Sequence, residues 1–195
     1  MTAQGHFIFG LSCAIFAKKI EFFRILYLGE WGHVISGCIC TCLLPDIDHP
    51  GSFLGRKISW ISTTISKIFG HRGFTHSLFS LLFFYILIFS IPSIHDVLPL
   101  DFSYALLLGY FSHILADTLT PSGVPIFWPL SKRLCIPILS SNNLKREKKL
   151  CLFFLLISIL YPFDEFSIFK YFIDLQLIKD IIKNVYNVLI DFFKI

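Results

Sequence analysis

From Ser77 to Ile94 the chain runs for 18 residues without one charged side chain. That length is close to the roughly 20 apolar residues an α-helix needs to cross a bilayer. In hydrocarbon a backbone must satisfy its own hydrogen bonds, so such a run restricts the fold to packed helices. A second run of similar length, Phe102–Leu119, carries His113 and Asp117 near its end. Phe7–Ala17, Trp31–Leu44 and Leu150–Tyr161 are shorter, at 11 to 14 residues, which leaves open whether each spans, re-enters or lies at the interface. The expected fold is all-α: a polytopic membrane helical bundle of about four to five apolar segments, with amphipathic helices at the membrane interface.

Composition agrees with this reading. Hydrophobic residues make up 55% of the chain and charged ones 15%, against about 45–50% and about 25% in soluble domains. Ile58, Ile61, Ile65 and Ile68 recur at helical intervals within Ser52–Phe69, predicting an amphipathic surface helix. Ile178, Ile181, Ile182, Val185, Val188, Leu189 and Phe192 form a similar stripe opposite Lys179, Lys183 and Asn187. The expected organisation is a membrane-embedded domain over 1–162 and an amphipathic helical tail over 163–195.

Lys and Arg collect in 46–76 and 121–149 and are absent from 95–101. By the positive-inside rule the two basic regions are cytoplasmic. Lys18, Lys19 and Arg24 then fall on the wrong side, so the rule orients the first two segments poorly. The net charge of +4 suits loops beside an anionic membrane surface. No aromatic-interleaved basic block points to nucleic acid. The six cysteines form neither a zinc-site spacing nor a disulfide framework, and the start lacks the basic segment of a secretory signal.

The chemistry gathers where these runs end. Gly70-His71-Arg72-Gly73-Phe74-Thr75-His76-Ser77 puts two histidines at the entrance to the uncharged run. On one continuous helix they would point about 140° apart, but Gly73 allows them to converge. Thr75 and Ser77 are N-cap candidates for the helix that follows. Asp46 and Asp48 leave the second apolar segment in a stretch too rich in breakers for a helix, and would share a side if extended. His113 and Asp117, four apart on a helix, can grip one ion together. In the topology above these three stretches and His6 meet at one membrane face, giving up to seven candidate ligands: His6, Asp46, Asp48, His71, His76, His113 and Asp117.

Each part also has a plainer explanation. His113 with Asp117 could be a buried pair that stabilises packing, and Asp46 and Asp48 could be turn carboxylates. His33 and His95 fall on the opposite face, and His49 sits in a turn. Arg56, Arg72 and Arg133 read as solvated or lipid-facing charges, with an anion-binding role as the alternative for Arg72. Ionisable groups in membrane segments are expensive enough that function is the default reading of the combination. Mixed imidazole and carboxylate ligation suits a divalent metal, zinc first, with manganese or iron as alternatives. Of Asp46 and Asp48, the catalytic carboxylates in this reading, one would ligate while the other serves as base or orienter.

Leu43-Leu44-Pro45-Asp46-Ile47-Asp48-His49-Pro50, the Gly70–Ser77 string and Gly109-Tyr110-Phe111-Ser112-His113-Ile114-Leu115-Ala116-Asp117 resemble the YdjM-type family of bacterial inner-membrane metal-dependent hydrolases. Leu119–Leu130 and Met1–His6 are similar to the family as well, so the likeness covers roughly residues 1–140. The resemblance implies a location in the bacterial inner membrane and metal chemistry; it does not identify a reaction. The combined expectation is a membrane-bound hydrolase in which metal-activated water attacks a lipid-like ester or phosphoester at the cytoplasmic face. Its metal ligands are drawn from His71, His76, His113, Asp117, Asp48 and His6, Arg72 contacts substrate, and the partners are membrane lipids. The alternatives are a metal-ion or proton transporter and a non-catalytic membrane scaffold; haem ligation fits poorly with so many carboxylates.

Overall fold

A computed structural model describes residues 1–92, 97–130, 132–138 and 144–161. Its helices are α1 (Ala3–Ala17), α2 (Arg24–Leu28), α3 (Trp31–Thr41), α4 (Phe53–Lys57), α5 (Ser59–Phe69), α6 (Leu78–Ser90), α7 (Leu100–Thr118) and α8 (Leu144–Leu160). Short 3₁₀ turns at Glu21–Phe23, Leu44–Asp48 and Phe74–His76 join them, and the described residues contain no strand. Met1–Ile159 make one compact unit. His95 and the amphipathic tail expected over 163–195 lie outside the described residues.

The centre of the unit is the α3–α7 pair, with α1 packed against both. Small residues let these backbones approach, as in membrane helix pairs generally. A Cβ on Gly109 would stand 2.1 Å from the Cys38 carbonyl oxygen, and one on Gly37 would stand 2.8 Å from Ala105 Cβ. Thr41 Oγ1 donates across the contact to the Leu106 carbonyl at 2.6 Å. Ala14, Ala17, Leu26, Val34, Cys38 and Ala105 fill the core beside it.

The surface of α6 is inverted relative to a soluble protein. Phe79, Leu82, Phe83 and Ile86 are exposed while Ser77 and Ser80 are buried, an arrangement that calls for apolar surroundings. Even so, among the described residues no helix is long and apolar enough to cross a membrane. α6 has 13 residues, and α7, at 19, carries Asp101, His113 and Asp117.

Several sequence expectations shift. Ser52–Phe69 is two helices, because Ile58 (φ −125°, ψ 54°) breaks the path between α4 and α5. α5 packs on the Leu44–Asp48 turn, turning Ile58, Ile61 and Ile65 inward and leaving Ile68 exposed. α8 begins at Leu144, inside the basic run that reads as a loop; Lys, Arg and Glu are good helix formers. Lys18 is buried, and its ammonium donates to the Tyr27 carbonyl at 2.7 Å and to that of Gly29. Its charge is used inside the fold, which explains why it misleads as a topology signal.

Candidate metal centre

The Leu44–Asp48 stretch is a 3₁₀ turn, not an extended strand, and Pro45 within its first turn favours that start. In such a turn residues two apart diverge. Asp46 and Asp48 therefore approach opposite edges of one ring: Asp46 Oδ1 lies 3.7 Å from His76 Nε2, and Asp48 Oδ2 lies 3.2 Å from His76 Nδ1.

His76 ends the Phe74–His76 turn, which buried hydroxyls hold in place. Tyr110 Oη and Ser80 Oγ donate to the Thr75 carbonyl at 2.7 and 3.0 Å. Ser77 caps α6, accepting the Ser80 N–H at 3.2 Å. Thr75 is not a cap; its hydroxyl donates to Asp48 instead. Asp48 is fully buried and receives His71 Nδ1 at 3.0 Å, the Arg72 N–H at 2.9 Å and the Thr75 hydroxyl, with His76 Nδ1 in charge contact at 3.2 Å. Arg72 takes a left-handed backbone conformation, φ 55°, to aim its N–H there.

α7 brings His113 and Asp117 to the same point. His113 Nδ1 lies 2.7 Å from the Cys42 carbonyl, which can only accept, so the proton is on Nδ1 and the Nε2 lone pair faces inward. His76 Nδ1 is likewise committed as a donor, 3.0 Å from the Thr75 hydroxyl, whose own proton goes to Asp48, and its Nε2 stands 3.3 Å from His113 Nε2. His113 Nε2 is 3.5 Å from Asp46 Oδ1 and 4.0 Å from Asp117 Oδ2, and His76 Nε2 is 3.6 Å from Asp117 Oδ2. The donors of His76, His113 and Asp117 form one cluster of metal-holding reach; Asp46 with Asp48 and His76, and Asp46 with His6 and His113, form others.

His6 comes from α1. Glu147 of α8 accepts the Thr2 N–H at 2.9 Å and the Thr2 hydroxyl, fixing the helix start. The His6 ring then stacks on that of His113, with centroids 3.6 Å apart and planes 5° from parallel. Its Nε2 is 3.4 Å from Asp117 Oδ1, and neither of its buried nitrogens makes a hydrogen bond.

Charge completes the picture. Asp117 faces two cations: the Arg72 guanidinium, whose Nη2 lies 3.0 Å from Asp117 Oδ2, and the chain's amino group, 2.8 Å from Asp117 Oδ1. Asp117 Oδ2 makes that charge contact without a directed hydrogen bond. Burial pushes the Asp46 and Asp48 carboxyls up, but hydrogen bonds from His113 and His76 to Asp46, and from His71 and His76 to Asp48, hold both well below the usual carboxylate range. Burial also pushes the His76 imidazole down, yet Asp46 and Asp48 on its two edges raise it to about 9. Such a site favours positive charge.

The donor set fits a metal. Zn–N and Zn–O bonds of about 2.0–2.2 Å place tetrahedral ligands roughly 3.3–3.6 Å apart, and the separations among His76 Nε2, His113 Nε2, Asp46 Oδ1 and Asp117 Oδ2 given above cluster near that value. Both imidazoles have the correct nitrogen free and the other tied to an acceptor, the usual support for a ligating histidine.

Of the residues expected from sequence, His6, Asp46, Asp48, Arg72, His76, His113 and Asp117 meet here. His71 sits at the rim, its side chain 43% exposed and its ring on Asp48. Arg72 is not a solvated charge: it reaches Asp117, Thr120 and Ser122. His49 accepts the Gly51 N–H in its own turn. Sequence reasoning missed Thr120, Ser122 and Glu147, and gave Thr75 a capping role in place of its bond to Asp48. Glu147 alone left a signal, as a single carboxylate within Lys145–Lys149.

Comparison with known proteins agrees with the motifs. The profile of the family described as YdjM inner membrane protein matches residues 1–174. The inner membrane protein YdjM of Escherichia coli K12 is 49% identical over 159 residues, covering 78% of this chain and 80% of that protein. The YdjM of Shigella flexneri matches to the same extent. Bacillus subtilis YvsG, itself described as uncharacterized, is 34% identical over 140 residues, 71% of this chain and 79% of that protein. No solved structure matches. The chain belongs to the YdjM family and is a protein of the bacterial inner membrane.

Proposed function

We propose that this protein is a membrane-bound metal-dependent hydrolase acting on an ester or phosphoester at the cytoplasmic face, with a lipid-like molecule as its substrate. The observation that carries this is the convergence of His76 Nε2 and His113 Nε2 at 3.3 Å, both with Nδ1 committed elsewhere, beside Asp46 and Asp117. Two imidazole lone pairs facing each other in a buried site repel unless a cation or proton lies between them.

A divalent ion held there, zinc first and manganese or iron as alternatives, supplies a Lewis acid and lowers the pKa of bound water towards roughly 7. His76, His113 and Asp117 are the proposed ligands. Asp46, with its side chain 18% exposed, is the carboxylate nearest solvent and serves as a further ligand or as general base. Asp48 has three donors on its two oxygens and, in contact with His76 Nδ1 and through the Thr75 hydroxyl, acts as the orienter of His76, while His6 closes the site over His113 and Asp117. Arg72 holds Asp117 and the Thr120 and Ser122 hydroxyls, and so flanks the place where an anionic ester group would approach.

The test is hydrolysis by detergent-purified protein loaded with zinc, manganese or iron, assayed on a panel of carboxylic esters and phosphate mono- and diesters. The expected result is turnover that a chelator removes and that Asp46→Asn and His113→Ala abolish. Turnover that survives both substitutions, or none with any metal across the panel, overturns the reading.

A further inference from the structure

We infer that a groove between α1, α3 and α4 binds one acyl chain of an anionic phospholipid, with Lys148 of α8 on the headgroup phosphate. Phe7, Ile39, Leu43, Phe53 and Leu54 supply its apolar walls, and Lys148 is its sole charged lining residue. The inference goes beyond the hydrolytic reading and needs only the inner-membrane location.

The cavity measures about 790 Å³, within the roughly 300–1,000 Å³ of small-molecule sites. Phe7 and Phe53 are 41% and 51% exposed. A bilayer protein that keeps such walls open to its surroundings fills them with hydrocarbon, because exposed apolar area is lowest in free energy against apolar atoms.

Charge selects the lipid. Lys148 is exposed, and no described carboxylate pairs with it. Lys145 and Lys149 are exposed on the same helix, and the only acidic side chain among them, Glu147, is buried against Thr2. A basic cluster beside an apolar slot fits an acyl chain with a negative phosphate headgroup better than a zwitterionic one. The first turns of α8, Lys148 among them, lie within the 121–149 basic region that the positive-inside rule places in the cytoplasm, where anionic headgroups line the inner leaflet.

The test uses the full chain in nanodiscs of phosphatidylglycerol or of phosphatidylcholine, followed by detergent exchange and native mass spectrometry of retained lipid. Wild type is expected to keep phosphatidylglycerol in preference to phosphatidylcholine. Lys148→Gln is expected to cut that preference about fivefold, the worth of one Lys–headgroup contact. Cys40 of α3 also lines the groove; Cys40→Trp and Leu54→Trp, each filling it from a different helix, are expected to retain neither lipid. Unchanged elution volume and melting temperature identify the filling variants that fold, and either one suffices. Equal retention of the two lipids by wild type, or wild-type retention by a folded filling variant, overturns the inference.

Discussion

The α3–α7 pair carries histidine–carboxylate contacts at both ends, and the two ends are built differently. At the end where both helices begin, His33 Nδ1 lies 3.1 Å from Asp101 Oδ2. Asp101 also receives the Glu30 and Phe102 N–H groups at 2.8 and 2.9 Å. The His33 and Asp101 side chains are 36% and 14% exposed, and every donor there has an acceptor. At the other end the His6, His76, His113, Asp48 and Asp117 side chains are buried, two imidazole nitrogens face each other, and both His6 nitrogens and Asp117 Oδ2 lack a hydrogen bond. The same residue types make a structural tie at one end and a cation-seeking cluster at the other. What separates them is the count of donors against acceptors, and water access: a buried polar atom without a partner costs free energy that an exposed one does not.

The widest disturbance removes the helix contact on which both ends depend. Gly109→Leu drives side-chain atoms into the Cys38 carbonyl and is expected to cost about 3 kcal/mol. Thermal melting in detergent reads the loss, and a melting temperature equal to wild type would mean that α3 and α7 do not pack this closely.

The next effect separates the ends. His76→Ala combined with His113→Ala is expected to eliminate zinc binding in calorimetric titration, whereas His33→Ala combined with Asp101→Ala leaves zinc affinity at the wild-type value. Equal losses from the two pairs would erase the distinction drawn above.

A finer division lies within the buried end. Asp48→Asn keeps the shape of the side chain but weakens the orientation of His76, and is expected to lower zinc affinity about 10–100-fold. Complete loss of zinc would instead make Asp48 a ligand. The smallest effect belongs to the exposed end: His33→Ala is expected to cost about 0.2–1 kcal/mol, measured as a shift in melting temperature without a change in zinc affinity.

Much of the site is legible in the sequence because ionisable residues at the ends of apolar runs are costly to keep. That cost singles out His76, His113 and Asp117 without any knowledge of the fold. It cannot separate Asp46 from Asp48, since spacing gives the same answer for a strand whether or not the chain makes a 3₁₀ turn. Pro45 is the one local hint of that turn. His71 reads as strongly as His76, and only tertiary placement sends its ring to Asp48 at the rim. Glu147 is hidden for the opposite reason: its role depends on α8 meeting the start of α1, a contact 145 residues apart in sequence. In the fold, the apolar runs locate the helices, while their ends move wherever charged residues are good helix formers, as at Leu144.

The most direct test is metal content by elemental mass spectrometry on detergent-purified protein, with wild type beside His76→Ala/His113→Ala. The account predicts near-stoichiometric zinc, manganese or iron in wild type and none in the variant, both eluting as folded protein. Wild type that holds no divalent metal even after reconstitution, or a variant that holds as much as wild type, would contradict it.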